Sequence, residues 1–232
     1  MPLQTISFGG RIWKVQLRAA ADRSVAAEIF KWREYRAAAA LIRAARDPIL
    51  DAGAHCGLFT LYVRSLNAAV PIIALEPEPN NLKLLREHLL ANDIAGVTVI
   101  PGALAGESGP RLLAISPESH NHALLPAGAR PGAGNIAVAA YSLAAVLRPE
   151  RVTRVSMIKL DIEGGEYEVF AGLGAKDFAK IRAVIMEYHN RRRNHYRELE
   201  KMLRENGFGV QIFPSKFDRT MGFMFGKNKR FH

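Results

Sequence analysis

The sequence predicts an α/β fold with one mostly parallel sheet, helices on both of its faces and one late antiparallel strand. Short apolar runs alternate with stretches of helical periodicity, which is the pattern of βαβ units. A glycine-bearing turn follows the first of these runs. The last two predicted strands are joined by a loop too short for a crossover helix, so we expect them to pair antiparallel. The chain of 232 residues can bury one large core, which predicts a single domain over residues 1–232.

The N-terminal part predicts a β-hairpin followed by a helix. Residues 1–23 carry two strand-like runs on either side of Gly9-Gly10, a pair that accepts the positive φ angles of a tight hairpin. Residues 24–46 are rich in Ala, Arg, Glu and Leu at helical spacing, which predicts a leading helix. We expect this helix to end at Asp47-Pro48, because a residue before proline avoids the α region.

The rest of the chain continues the alternation of strands and helices. The run PIIALE is continuously apolar up to its final acid, as expected of a strand buried on both faces. Strands are predicted at 49–51, 71–76, 97–100, 155–160, 183–187, 209–213 and 222–226. Helices are predicted from the glycine-bearing turn to about residue 66, at 80–92, near 166–173 and at 195–206. Residues 116–135 are rich in Pro and Gly and have no period, which predicts a long loop on the substrate side.

The composition excludes several classes of protein. One cysteine excludes a disulfide framework and a cysteine-rich zinc site. No run approaches the roughly 18 apolar residues of a membrane span, and the first residues lack a basic head before an apolar run, so we expect a cytoplasmic protein. The net charge is +10, and residues 190–232 hold 11 Lys/Arg against 4 Asp/Glu. This basic C-terminal part either binds an acidic partner or is a solvated, arginine-rich surface.

The segment DAGAHCG, residues 51–57, lies between a predicted strand and a predicted helix. Its glycines let the backbone turn sharply and approach a ligand, and the helix start offers unpaired N–H groups. His55 stands where a dinucleotide-binding turn would have its middle glycine, which argues against a pyrophosphate on this turn. Glu76 ends the next predicted strand, where a carboxylate can accept both hydroxyls of a ribose. Together the two segments predict a nucleoside cofactor across adjacent strand ends.

Two further segments place acids at the same edge of the predicted sheet. KLDIEGGEYEVFAG, residues 159–172, has Asp161 and Glu163 at the end of a strand. MEYHN, residues 186–190, places Glu187 and His189 at the end of the next strand. A general base must first reach the proton and then have a suitable pKa, which makes His189, Asp161 and Glu163 the candidate catalytic residues. His189 is slightly favoured because its ordinary pKa of about 6.5 lets it act near neutrality.

These segments together resemble the FkbM-type family of S-adenosylmethionine-dependent methyltransferases. DAGAHCG is similar to the family's first motif, although His55 stands where the family usually has Asn. LEPEPNNLKLLREHLLAND is similar to its second motif, IKLDIEGGEYEVFAG to its Lys-x-Asp-x-Glu-Gly-x-Glu signature, and IMEYHN to the acid-ended strand that follows. The resemblance runs from about residue 25 to 226. It implies a Rossmann-like class I methyltransferase fold, in which the late antiparallel strand is expected.

The resemblance also implies a role for each matched residue. Asp51, Gly53 and Gly57 would form the wall against the methionine part of S-adenosylmethionine, with His55 in the same turn. Glu76 would hold the ribose, and Ala103 and Leu104 would flank the adenine. Asp161 would lie near the cofactor's amino group or near the acceptor.

The implied activity is O-methylation of a hydroxyl on a small molecule or saccharide. Arg191–Arg193 follow His189 directly; they either rim the acceptor pocket and select an anionic acceptor, or form a solvated helix start. A magnesium ion on Asp161, Glu163 and Glu187 is conceivable, but the resemblance requires no metal and we expect none. The alternatives are a nucleic-acid methyltransferase that uses the basic C-terminal part, and a non-catalytic module that binds the cofactor. The sequence leaves the oligomeric state open.

Overall fold

A computed structural model of the chain describes residues 3–118, 121–148, 152–190, 195–215, 218 and 220–231. The strands are β1 (Gln4–Phe8), β2 (Arg11–Val15), β3 (Ile49–Ala52), β4 (Ile72–Glu76), β5 (Val97–Pro101), β6 (Ala103–Leu104), β7 (Gly109–Ala114), β8 (Ala123–Leu124), β9 (Asn135–Tyr141), β10 (Met157–Leu160), β11 (Ala183–His189), β12 (Phe208–Pro214) and β13 (Met221–Asn228). The α-helices are α1 (Ala20–Ala26), α2 (Ala39–Ala44), α3 (Leu58–Leu66), α4 (Pro79–Ala91), α5 (Leu143–Leu147), α6 (Glu166–Ala171), α7 (Ala175–Phe178) and α8 (Tyr196–Glu205).

The main sheet has seven strands in the order β12-β13-β11-β10-β3-β4-β5. From β11 to β5 all neighbouring pairs are parallel, while β13 runs antiparallel to both β11 and β12. This confirms the predicted fold class. The chain leaves β3 toward β4 and β5, then crosses back to form β10 on the other side of β3. The strand order therefore reverses between β3 and β10, which is where open α/β sheets bind ligands.

Two hydrophobic clusters cover the two faces of this sheet. Successive strand residues alternate between the faces, so Ile185 packs in one cluster while Val184 and Met186 pack in the other. The first cluster includes the hairpin β1–β2 and α3. The second includes α5, α6 and α8. Burial on both faces explains why the central strands read as continuous apolar runs.

The N-terminal region forms the predicted hairpin but not the predicted continuous helix over 24–46. Gly9 (φ 59°) and Gly10 (φ 74°) make the hairpin turn. The helical region starts earlier, with α1, continues as a π-helix over Ala27–Trp32, and breaks at Arg33, which is left-handed at φ 55°. A 3₁₀ turn over Glu34–Ala38 and α2 follow.

Aromatic packing accounts for this break, which no glycine or proline marks. The turn at Arg33 brings the buried Tyr35 ring to 4.7 Å from the Phe59 ring and 5.6 Å from the Phe223 ring. Tertiary contacts thus override a strongly helical local sequence.

A second, four-stranded sheet in the order β6-β9-β7-β8 occupies the region between β5 and α5. The predicted loop over 116–135 is therefore only partly a loop, since it contains β8 and reaches β9. Ser119 and His120 lie outside the described residues. Arg111 fastens this sheet to the domain: it donates to both carboxylate oxygens of Glu168, at 2.7 and 3.0 Å, and to the Leu125 carbonyl. Among the described residues, no helix has both the length and the apolar character that a membrane crossing requires.

Candidate active site

A cavity lies at the carboxyl ends of β3, β4, β10 and β11, at the point where the strand order reverses. Its walls come from three places: the strand ends of the main sheet, the helical region before β3, and the small sheet. The residues used below that line it are Glu28, Tyr35, Gly53, His55, Glu76, Ala103, Leu104, Leu113, His122, Leu124, Lys159, Asp161, Glu163 and Glu187. Seven of the predicted site residues are thus brought together here.

Gly53 begins the turn after β3 with φ 72°, in the left-handed region that favours glycine. A Cβ atom at this position would overlap the backbone carbonyl oxygen of Asp161. The turn after β3 and the end of β10 are therefore in direct backbone contact. Only glycine permits this closeness, which leaves the backbone itself as the cavity wall.

Glu76 ends β4 and is 4% exposed. Its Oε2 accepts the backbone N–H of His55 at 2.7 Å, and its Oε1 accepts that of Glu78 at 2.9 Å. Burial raises the pKa of the Glu76 carboxyl to about 7, and the N–H donors oppose this shift. Each carboxylate oxygen has a second lone pair, so the two backbone contacts leave acceptor capacity on a group that lines the cavity.

Two predicted cofactor contacts, Asp51 and Gly57, lie behind the cavity wall rather than on it. Asp51 is fully buried, and its Oδ2 accepts the Thr60 hydroxyl at 2.9 Å. Its Oδ1 lies 3.4 Å from Lys159 Nζ, which also lies 3.6 Å from Asp161 Oδ2 and donates to the Gly53 carbonyl at 2.7 Å. Asp51 therefore positions the Lys159 ammonium group, which in turn binds the turn after β3 through the Gly53 carbonyl. Gly57, at φ 83°, starts α3.

Ala103 and Leu104 form the apolar end of the cavity. Both are buried in β6, and Leu113 and Leu124 of the small sheet extend this surface. His122, in the segment predicted as a substrate-side loop, also lines the cavity. An apolar slot of this kind suits a flat heteroaromatic ring.

Carboxyl groups crowd the other end of the cavity. Glu28, Asp161, Glu163 and Glu187 line it. Burial, followed by the nearby carboxylates of Asp161 and Glu163, raises the pKa of Glu187 to about 10. Burial and the Glu28 carboxylate raise the pKa of Glu34, which precedes Tyr35, to about 7. Sequence reasoning noted Glu187 at this edge but did not place it among the catalytic residues; its position at a strand end was the available signal.

The three predicted catalytic residues take different positions. Asp161 and Glu163 line the cavity, and Glu163 is left-handed at φ 55°. His189 lies behind Glu163, with its Nε2 3.8 Å from Glu163 Oε2. His189, which its ordinary pKa had favoured as the base, is thus not among the residues that line the cavity, whereas Glu163 is. Strained non-glycine backbone such as that of Glu163 is common at functional sites.

Comparison with known proteins adds independent information. The family model described as the methyltransferase FkbM domain matches residues 51–210. Methyltransferase sdnD from Sordaria araneosa is 28% identical over 191 residues, covering 70% of this chain and 73% of that protein. The 31-O-demethyl-FK506 methyltransferase FkbM from Streptomyces tacrolimicus is 26% identical over 196 residues, covering 71% and 73%.

A solved structure supports the fold alone. Magnesium protoporphyrin IX methyltransferase from Synechocystis PCC 6803, solved with bound S-adenosylmethionine, superposes with a TM-score of 0.52 at 11% identity. The superposition covers 92% of this chain and 86% of that one. The architecture is thus that of Rossmann-like methyltransferases, with an added N-terminal hairpin.

Proposed function

This chain belongs to the FkbM methyltransferase domain family, and from that premise we propose that it is an S-adenosylmethionine-dependent O-methyltransferase acting on a hydroxyl of a small molecule or saccharide. The name of the Streptomyces tacrolimicus relative describes a 31-O-demethyl substrate, which supports oxygen as the methyl acceptor. The observation that carries the proposal is the cavity itself. One end of the cavity has the Glu76 carboxylate, which suits ribose hydroxyls, and an apolar slot. The other end has a cluster of carboxyl groups.

The residues present fit S-adenosylmethionine. Gly53 lines the cavity and has no side chain, so a ligand can lie against its backbone. Glu76 has lone pairs for ribose hydroxyls, and Ala103 and Leu104 offer an apolar surface for an adenine. Asp161 is the carboxyl group at the end of β10 that would meet the cofactor's amino group.

S-adenosylmethionine, when bound, supplies a sulfonium methyl group that is open to in-line attack by a nucleophile. The chain's own contribution is then to orient the acceptor hydroxyl and to take its proton. Glu163 is the group for that proton, because it lines the cavity and has His189 behind it at 3.8 Å. Asp161 is the alternative base.

The carboxyl groups at the end of the cavity away from Ala103 and Leu104 limit the kinds of methyl acceptor that can bind there. Four carboxyl groups line that end, and the cavity-lining Lys159 is already engaged by Asp51, Asp161 and the Gly53 carbonyl. An anionic acceptor would meet like charge there. A neutral polyhydroxyl or an amine-bearing acceptor fits better. Arg191–Arg193, which led to the expectation of an anionic acceptor, lie outside the described residues.

Calorimetric titration of S-adenosylhomocysteine tests the proposal. We expect wild type to bind and Glu76→Ala to bind at least about tenfold more weakly, because one change removes both the ribose contact and the acceptor of the His55 N–H. Glu87→Ala, on the exposed side of α4, is the matched control and should bind like wild type. No binding by wild type would refute the proposal. With binding established, neutral and amino sugars form the first acceptor panel, with formation of S-adenosylhomocysteine as the readout.

A further inference from the structure

Asp22 is a fully buried carboxylate in the N-terminal region, ahead of the residues that the family model matches. Arg18 binds it through three donors: its backbone N–H and its Nε to Oδ2 at 2.8 and 2.9 Å, and its Nη2 to Oδ1 at 3.0 Å. Burying an ion pair is costly, and such pairs persist where they fix a specific geometry. The geometry that the Arg18–Asp22 pair can fix is that of the turn after β3.

His55 connects Asp22 to that turn. Its Nε2 lies 3.3 Å from Asp22 Oδ1. Its backbone is left-handed at φ 50°, which is unfavourable for a residue with a side chain and must be held by its surroundings. In this conformation the His55 N–H points at Glu76 Oε2, at 2.7 Å. The position of the Glu76 carboxylate and the orientation of the His55 imidazole are therefore linked through one residue.

Donor counting assigns the tautomer of His55. Arg18 Nη2 carries two hydrogens, and Asp22 Oδ1 at 3.0 Å and Asn81 Oδ1 at 2.7 Å accept them. The His55 Nε2, 3.2 Å from Arg18 Nη2, then carries a hydrogen and donates it to Asp22. The His55 Nδ1 accepts from the Cys56 thiol, whose sulfur lies at 3.4 Å. Burial raises the pKa of this thiol, so the hydrogen is present.

Asp22, His55 and Cys56 each have a possible metal-ligand atom within 4.8 Å of the others, and they are the one such group found among the described residues. They nevertheless do not form a metal site. The Arg18 guanidinium already neutralises Asp22. A protonated thiol is also a poor ligand.

We infer that Asp22 is a positioning residue for cofactor binding, which acts through His55 to hold Glu76 in place. The inference rests on the proposed function, since the ligand concerned is S-adenosylmethionine. It gives the N-terminal region, outside the family match, a share in the cofactor site. A second chain of hydrogen bonds between the N-terminal region and the turn after β3 supports the inference. The Gln16 N–H donates to His88 Nε2 at 2.8 Å, and His88 Nδ1 donates to the Cys56 carbonyl at 2.7 Å.

A double-mutant cycle on S-adenosylhomocysteine affinity tests the inference. We expect Asp22→Ala to raise Kd about tenfold, the value of one hydrogen bond to a charged group. His55→Asn should stay within about threefold of wild type, since Asn adopts left-handed backbone readily. In the His55→Asn background, Asp22→Ala should change Kd by less than about twofold, because the linking imidazole is gone.

The control separates positioning from loss of stability. Asn228→Ala removes a buried amide that donates to the Phe178 and Ile181 carbonyls at the opposite end of the sheet. It should lower Tm and leave Kd unchanged at a temperature well below Tm. Asp22→Asn, which keeps the side-chain volume, replaces Asp22→Ala if the latter does not fold.

The outcomes distinguish the role of Asp22 from the proposed function of the chain. Binding by wild type with no effect of either Asp22 variant would overturn the inference alone. An equal loss of affinity in both backgrounds would also overturn it, because Asp22 would then act by another route. Absence of binding by wild type would refute the proposed function, and Asp22 would then be only a structural ion pair.

Discussion

Glu163 combines three features that single residues rarely share: a left-handed backbone, a place in the cavity wall and a histidine directly behind its carboxylate. The sequence indicated Glu163 and His189 as neighbours at one edge of the sheet. It did not indicate their order. That order depends on which side chain faces the cavity, and this depends on how the ends of β10 and β11 are placed in the folded chain.

Glu163→Gln should lower kcat by at least about 100-fold, because the amide cannot accept the acceptor's proton as a base. The Kd for S-adenosylhomocysteine should change little, since the change removes no cofactor contact. Steady-state kinetics with an acceptor from the panel and calorimetry would check the two expectations. Glu107→Gln, at an exposed position, is the control. An unchanged kcat would move the role of base to Asp161.

Glu187 makes stability depend on pH. In the folded state its pKa is raised from 4.5 to about 10 by burial and neighbouring carboxylates. A raised pKa stabilises the folded state fully below pH 4.5, and this contribution is lost as the pH rises through about 10.

Glu187→Gln removes the ionisable group at the same volume. The free energy of unfolding of this variant should therefore exceed that of wild type at pH 8–9, and the difference should shrink toward pH 4.5. Urea unfolding at several pH values measures it, with Glu107→Gln again as control. A difference that is constant with pH would contradict the expectation.

At the scale of elements, the sequence predicted well where a physical pattern was strong. The strands of the main sheet and the helices at 80–92 and 195–206 match the structure to within one or two residues at each end. The break at Arg33 was missed because Tyr35, Phe59 and Phe223 cause it, and these are distant in sequence. β7 and β9 were missed because their Ala, Gly and Leu residues show little alternation.

Arg111 joins the small sheet to the rest of the domain through Glu168. Leu113, His122 and Leu124 of this sheet region line the cavity. The Arg111 guanidinium is nearly buried, whereas the Glu168 side chain is 41% exposed, so the pair is discounted for solvent screening. Arg111→Ala should cost about 1–2 kcal/mol, mainly through the unpaired Leu125 carbonyl.

Urea unfolding would measure this loss. The control is Arg204→Ala, which breaks an exposed pair with Glu200 on α8 and should cost less than about 0.5 kcal/mol. Equal losses for the two variants would show that the contacts of Arg111 do not fasten the small sheet.

At the scale of the whole molecule, both hydrophobic clusters share the strands of one sheet. Neither face can lose its packing without exposing the other, so we expect one cooperative unfolding transition. S-adenosylhomocysteine at 100 times its Kd should add about 2.7 kcal/mol, which raises Tm by about 5–10 °C for a chain of this length. Differential scanning calorimetry checks both points. Two separate transitions would contradict the shared core.

The burial of Cys56 has a practical consequence. It is the only cysteine of the chain, and its side chain is 0% exposed. A cysteine introduced at an exposed site such as Glu107 would be the one thiol open to a maleimide dye. Fluorophores or spin labels could thus be attached site-selectively to an otherwise wild-type protein, without first replacing a residue of the turn after β3.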